Sequence, residues 1–159
     1  MKIKTIGRII FFVACAQAAG VIGSFVTMPA IGGWYDGLKK PFFVPPAALF
    51  GPVWFALYTM MGVSAALVAG KKSEHPDVKN AMVLFFTQLI LNVFWSIFFF
   101  GMKSPFLAFL EILVLLASVA VTMVLFFRIQ KTAGWLLVPY VVWVAFAGVL
   151  NFSIYRLNP

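Results

Sequence analysis

The chain has 159 residues, of which 64% are hydrophobic, 18% aromatic and only 10% charged. A water-soluble domain carries about 25% charged residues, so this composition excludes a water-solvated surface and suits lipid. The net charge of +8 does not indicate nucleic acid: the basic residues stand in small groups between apolar runs and form no stripe along a groove-reading helix.

Five apolar segments fill the sequence, at about 6–28, 46–69, 78–100, 105–128 and 134–155. As a helix, each is long enough to cross about 30 Å of hydrocarbon. The runs lack alternation, and backbone groups in lipid must bond internally, so the spans are helices. The expected architecture is an all-α integral membrane protein, a five-helix transmembrane bundle forming one domain over 1–159.

The first segment follows Lys2, Lys4 and Arg8 and contains Ala14-Cys15-Ala16, which imitates a signal peptide. The apolar run continues to Val26, longer than a cleaved hydrophobic region, and is expected to stay as the first membrane helix. Cys15 is the single cysteine, so no disulfide and no thiolate metal site can be assembled within the chain.

The break at 29–45 is the longest, and "WYDGLKKPFFVPP" is unusually rich in aromatics and proline for a connecting loop. Pro41, Pro45 and Pro46 stiffen it and start the second helix, where a missing N–H costs nothing. Trp34, Tyr35, Phe42 and Phe43 can roof an apolar pocket or rest on the bilayer surface. Lys39 and Lys40 place positive charge at the mouth, where anionic groups would arrive.

Within the later segments, polar and aromatic residues recur at helical spacing: Trp54, Tyr58 and Met61 on the second, Gln88, Asn92 and Trp95 on the third. Glu111, Ser118 and Thr122 share a face of the fourth, and Trp143, Ala147 and Asn151 a face of the fifth, beside Phe146. Polar side chains in lipid turn to the bundle interior. Indoles beside an amide suit a flat hydrophobic ligand with few polar atoms, and they suit aromatic core packing equally. Glu111 is the one acid deep in a span. It is either a charge or proton site in a pathway, as a proton-coupled exporter would need, or a carboxyl bonded to a neighbouring helix. His75, beside Glu74 and Asp77 in "GKKSEHPD", reads as a solvated turn. Small residues repeat at Ala16, Gly20 and Ser24 and at Gly62, Ala66 and Gly70, where helices can approach closely within or between chains. No Ser-His-acid set, carboxylate pair, phosphate loop or zinc spacing occurs, so neither catalytic residues nor metal ligands are assigned.

Charge distribution sets an orientation. With the N-terminus inside, Lys2, Lys4, Arg8, Lys71, Lys72, Lys79, Arg128 and Lys131 lie inside, against Lys39, Lys40, Lys103 and Arg156 outside. The positive-inside rule then places the C-terminus and the 29–45 lid outside.

"WYDGLKKPFFVPP" followed by "GPVWFALYTMMG" resembles the translocator protein family (TspO/MBR, tryptophan-rich sensory proteins, peripheral-type benzodiazepine receptors). "QLILNVFWSIFFFGMK", the acid of "FLEILVLL" and "WLLVPYVVWVAFAGVLNFSIYRLNP" extend the resemblance in unbroken order to the C-terminus. It implies five helices around a ligand pocket covered by the first loop, binding of porphyrin-type tetrapyrroles such as protoporphyrin IX and haem, and homodimers. No cofactor is obligatory; porphyrin or haem would be a bound ligand. Trp54, Asn92, Trp95, Trp143, Phe146 and Ala147 match family pocket positions, and Trp34, Tyr35, Lys40, Pro41, Pro45 and Pro46 match the loop. Some bacterial members degrade protoporphyrin in light and oxygen, and Trp54 and Trp143 match the tryptophans implicated. Three departures stand out. Phe43 replaces a loop tryptophan. Ser96 and Ile97 replace prolines, which is expected to straighten that helix end. The sterol motif is not met, because Phe152 stands for its tyrosine and Tyr155 abuts Arg156 without a spacer, which argues against sterol binding.

Overall fold

The computed structural model describes residues 2–72 and 74–159; Ser73, in the break "GKKSEHPD", lies outside the described residues, as does the side chain of Lys2. The chain runs α1 (Lys2–Thr27), a 3-10 turn (Met28–Ala30), the short α2 (Trp34–Gly37), α3 (Ala47–Ala69), α4 (Val78–Ser96) with a π-helical turn (Ile97–Gly101), α5 (Pro105–Ile129) and α6 (Lys131–Leu157). Among the described residues, five helices are long and apolar enough to cross a membrane. The protein is therefore an all-α, multi-pass integral membrane protein, as its apolar runs predict.

The boundaries differ where polar residues prolong a helix. α1 starts at Lys2 and α6 at Lys131, because Lys and Arg are good helix formers and extend a turn beyond the hydrocarbon. α5 opens on Ser104, whose hydroxyl accepts from the Leu107 N–H at 3.3 Å, with Pro105 in the first turn, where its missing N–H is no loss. Pro46 immediately precedes α3 with φ −53° and ψ 135°, and its carbonyl accepts from Leu49 N–H at 2.9 Å.

The end of α4 carries a feature beyond the expected loss of the prolines. After Ser96 the helix widens into a π-turn in which Met102 N–H donates to the Ile97 carbonyl at 2.7 Å. Without prolines, the amides here remain able to bond, and they choose carbonyls five and six residues back, as Ser104 does with Phe98 at 3.0 Å.

The small-residue stripes face each other within the chain. Ala16 and Ala66 are fully buried, a Cβ on Gly20 would run into the Tyr58 ring, and a Cβ on Gly62 would meet the Val13 backbone. These positions join α1 to α3 and are occupied by that packing. The main core joins α1, α3, α4, α5 and α6 around Met61, Phe85, Phe126 and Tyr140. A second apolar cluster at the loop end gathers Phe99, Ala108, Leu150 and Ile154, and Trp34, Tyr35, Leu38, Phe43 and Val44 of the loop settle on it. The lid is thus seated on α4, α5 and α6 rather than lying loose.

Candidate functional site

Beneath the lid is a cavity of about 800 Å³, within the size range of small-molecule sites. α1, α3, α4 and α6 form its sides, and α5 takes no part.

Its floor is polar: Tyr58 and Asn92 line it, and the buried Tyr140 and Gln88 back them. Tyr58 of α3 donates to the Asn92 side-chain oxygen of α4. Asn92 donates to the Tyr140 hydroxyl of α6 at 3.1 Å, and Tyr140 donates to Gln88 Oε1 at 2.8 Å. Each hydroxyl can donate once while accepting, so the residues form a directed chain that fixes three helices at one depth.

The walls are aromatic. Trp54 stacks on Tyr58 with ring centres 5.3 Å apart, and Trp143 meets Phe50 edge-on at 6.0 Å. Trp95 stacks on Phe99 at 5.3 Å while its indole N–H donates to Asn151 at 3.0 Å. On the α1 side, Gly20, Val21, Gly23 and Ser24 line the cavity, and a Cβ on Gly23 would come within 3.1 Å of the Ser96 hydroxyl. Gln17 closes the lower seam, donating to the Phe55 carbonyl at 2.9 Å and to Thr59 at 3.0 Å. Above it, Val21 and Phe55 line the cavity yet are 52% and 66% exposed, so this side reaches the lipid-facing surface.

The roof comes from Ile31, Tyr35, Asp36, Lys40 and the run Val44, Pro45, Pro46 and Ala47. Lys40 Nζ sits 4.5 Å from the centre of the Tyr35 ring and contacts the carbonyls of Asp36 and Leu38 at 3.4 Å. Burial first, and then neighbouring Asp36, push the Tyr35 phenol above its ordinary value, so the ring remains neutral beneath the cation.

Of the residues singled out from sequence, Tyr35, Lys40, Pro45, Pro46, Trp54, Tyr58, Asn92, Trp95, Trp143 and Ala147 meet at this cavity. Trp34, Phe43 and Phe146 stand behind its surface. Trp34 meets Phe99 edge-on at 5.7 Å, and Phe43 meets Phe146 at 6.3 Å, so they brace the lid from the far side. Phe42 is 99% exposed and roofs nothing. Lys39 is exposed, and Pro41 accepts the Val44 N–H at 3.2 Å in a tight turn outside the cavity lining. Glu111 does not line the cavity either. It is buried on α5, and neither carboxyl oxygen has a hydrogen-bond partner among the described residues, so it is not bonded to a neighbouring helix. Sequence reasoning missed Gln17 and Ser96 in the lining, Tyr140 behind the floor and Asn158 above the roof. Helical spacing reaches Tyr140, which lies one turn before Trp143 on the same stripe; nothing local to Asn158 marks it.

The fold and cavity define a small polytopic membrane protein built around an aromatic chamber under a structured loop. A family model described as the TspO/MBR family matches residues 12–156. The chain is 42% identical to the tryptophan-rich protein TspO of Chlorobaculum tepidum, over 98% of this chain and 99% of that protein. It is 41% identical to the protein CrtK of Rhodobacter capsulatus, over 94% and 91% respectively. It is 35% identical to the human translocator protein, over 86% and 84%. The chain belongs to the TspO/MBR family.

Proposed function

We propose that this protein is a membrane receptor or carrier that binds porphyrin-type tetrapyrroles in the chamber beneath its lid, with that lid on the outer side of the membrane. The observation that carries the reading is the pairing of three indoles, Trp54, Trp95 and Trp143, with the one lining cation among the described residues, Lys40, at the roof. A porphyrin is a flat apolar macrocycle with an anionic edge. Indole faces would stack on the ring, and Lys40 would meet a propionate. The size of the chamber supports the same reading, as does the exposed seam at Val21 and Phe55, which suits a ligand that partitions into lipid.

Titration of the purified protein with protoporphyrin IX is expected to quench tryptophan fluorescence saturably. The Trp54→Ala, Trp143→Ala double variant is expected to bind at least tenfold more weakly, since aromatic faces contribute about 1 kcal/mol each beyond the area they cover. Unchanged affinity in the double variant would remove this site. A second reading is light- and oxygen-dependent breakdown of the porphyrin, favoured by Trp54 and Trp143 both lining the cavity. Illumination of the complex decides it: bleaching of the main porphyrin band that Trp143→Phe does not slow leaves binding alone.

A further inference from the structure

Lys39 and Lys40 are adjacent, identical in chemistry and both close to the cavity mouth, yet only Lys40 lines the cavity. The difference originates far away in the sequence. Asn158, just past the end of α6, accepts the Lys39 backbone N–H on Oδ1 at 3.0 Å and donates from Nδ2 to the Lys39 carbonyl at 2.9 Å. The same Nδ2 donates to the Ile154 carbonyl at 2.8 Å, one turn back on α6. The amide thereby makes three hydrogen bonds: two grip the lid and one fixes the amide to the helix.

The consequence is geometric. The chain leaves α2 through Leu38 in an extended conformation, φ −72° and ψ 140°. These angles are those of polyproline II, in which adjacent side chains point in different directions about the chain axis. Pinning both polar groups of Lys39 fixes the rotation of the segment: Lys39 is exposed, and Lys40 sits over Tyr35 in the cavity lining. A rotation of that segment would carry Lys40 away from the roof.

We propose that Asn158 is a positioning residue of the binding site: its clamp on Lys39 selects Lys40 as the roof cation that receives an anionic group of the ligand. This rests on the reading of the chamber as a site for a ligand with an anionic edge. The side chain itself touches no ligand. It acts by holding the register of the roof, and neither Asp nor Ala can replace it fully. Asp keeps the acceptor for Lys39 N–H but loses both donors, and Ala loses all three bonds.

The test uses the full chain in detergent with two probes, protoporphyrin IX and its dimethyl ester, which lacks the anionic edge. Asn158→Ala is expected to weaken protoporphyrin IX by about tenfold while leaving the ester unchanged, as loss of one charge-assisted contact would. Lys40→Met is expected to do the same, and the double variant no more than either alone, because both act on one contact. Lys39→Met is expected to change neither. Equal weakening of both probes by Asn158→Ala, or additive effects in the double variant, overturns the proposal. Hydrogen exchange without ligand supplies an independent check. The Lys39 amide is expected to exchange faster in Asn158→Ala and at an intermediate rate in Asn158→Asp; unchanged protection overturns the clamp. If the wild-type protein binds neither probe, the anionic-ligand reading falls, and the exchange result shows separately whether the clamp exists.

Discussion

The indole N–H of Trp95 donates to Oδ1 of Asn151 across 3.0 Å, and Asn151 passes its own amide to the Pro105 carbonyl at 2.8 Å. One buried side chain thus ties α4 and α6 to the first residue of α5 at the depth of the cavity wall. Asn151→Leu would orphan the indole donor and take a second hydrogen bond from the Pro105 carbonyl. A buried group left unpaired costs about 1–3 kcal/mol. The expected outcome is a lower thermal midpoint in detergent, with a weaker porphyrin complex because Trp95 loses the bond that sets its orientation. An unchanged midpoint would mean that neither group needs its partner.

Tyr58 provides a subtler case, because its ring and its hydroxyl have separate duties. The ring stacks on Trp54, and the hydroxyl opens the Tyr58–Asn92–Tyr140–Gln88 chain. Tyr58→Phe keeps the ring and leaves the Asn92 oxygen without its donor. The expected loss is about 1 kcal/mol of stability, with porphyrin quenching of tryptophan retained. Thermal unfolding and the titration, run on the same sample, separate the two. A loss of binding without a loss of stability would assign the hydroxyl to the ligand instead.

The seam between α1 and α3 depends on Gly62, where any Cβ would meet the Val13 backbone. Gly62→Ala is expected to force the helices apart and lower stability by about 1–3 kcal/mol, the range for overpacking. Gly7, with nothing near a Cβ placed there, is the control. Gly7→Ala is expected to be neutral or stabilising by about 0.5–1 kcal/mol through helix propensity alone. Thermal midpoints of the two variants check this, and equal effects would count against the seam.

The five spans are legible in the sequence because only helices of that length satisfy their own backbone in lipid. The cavity floor and wall are partly legible for the same reason: Asn92 and Asn151 must turn inward in hydrocarbon, and Trp95 and Trp143 follow them on the same helical faces. Aromatics without a polar neighbour are not so constrained. Lipid and protein core are equally apolar, so nothing in the pattern places Phe43 and Phe146 behind the wall and Phe42 in the open. Nor can helical spacing find Asn158, whose partner is 119 residues away in sequence. The π-turn at the end of α4 is not legible either, because replacing proline restores hydrogen-bonding capacity without saying which carbonyls will be chosen.

Glu111 is the polar residue that the bundle uses least visibly. Its carboxyl is buried, both oxygens lack a partner among the described residues, and it lies outside the cavity lining. A buried polar group without hydrogen bonds opposes folding, and replacing it with an apolar side chain of similar shape is neutral or favourable. Glu111→Met is therefore expected to raise the thermal midpoint, by about 1–3 kcal/mol in stability, while porphyrin affinity stays constant. Glu111→Gln keeps a buried polar end and is expected to give no such gain. A destabilised Glu111→Met protein would show that the carboxyl makes a contact the fold requires. Altered porphyrin affinity in either variant would bring Glu111 into the binding site through α6, whose Tyr140 and Trp143 are its route to the chamber.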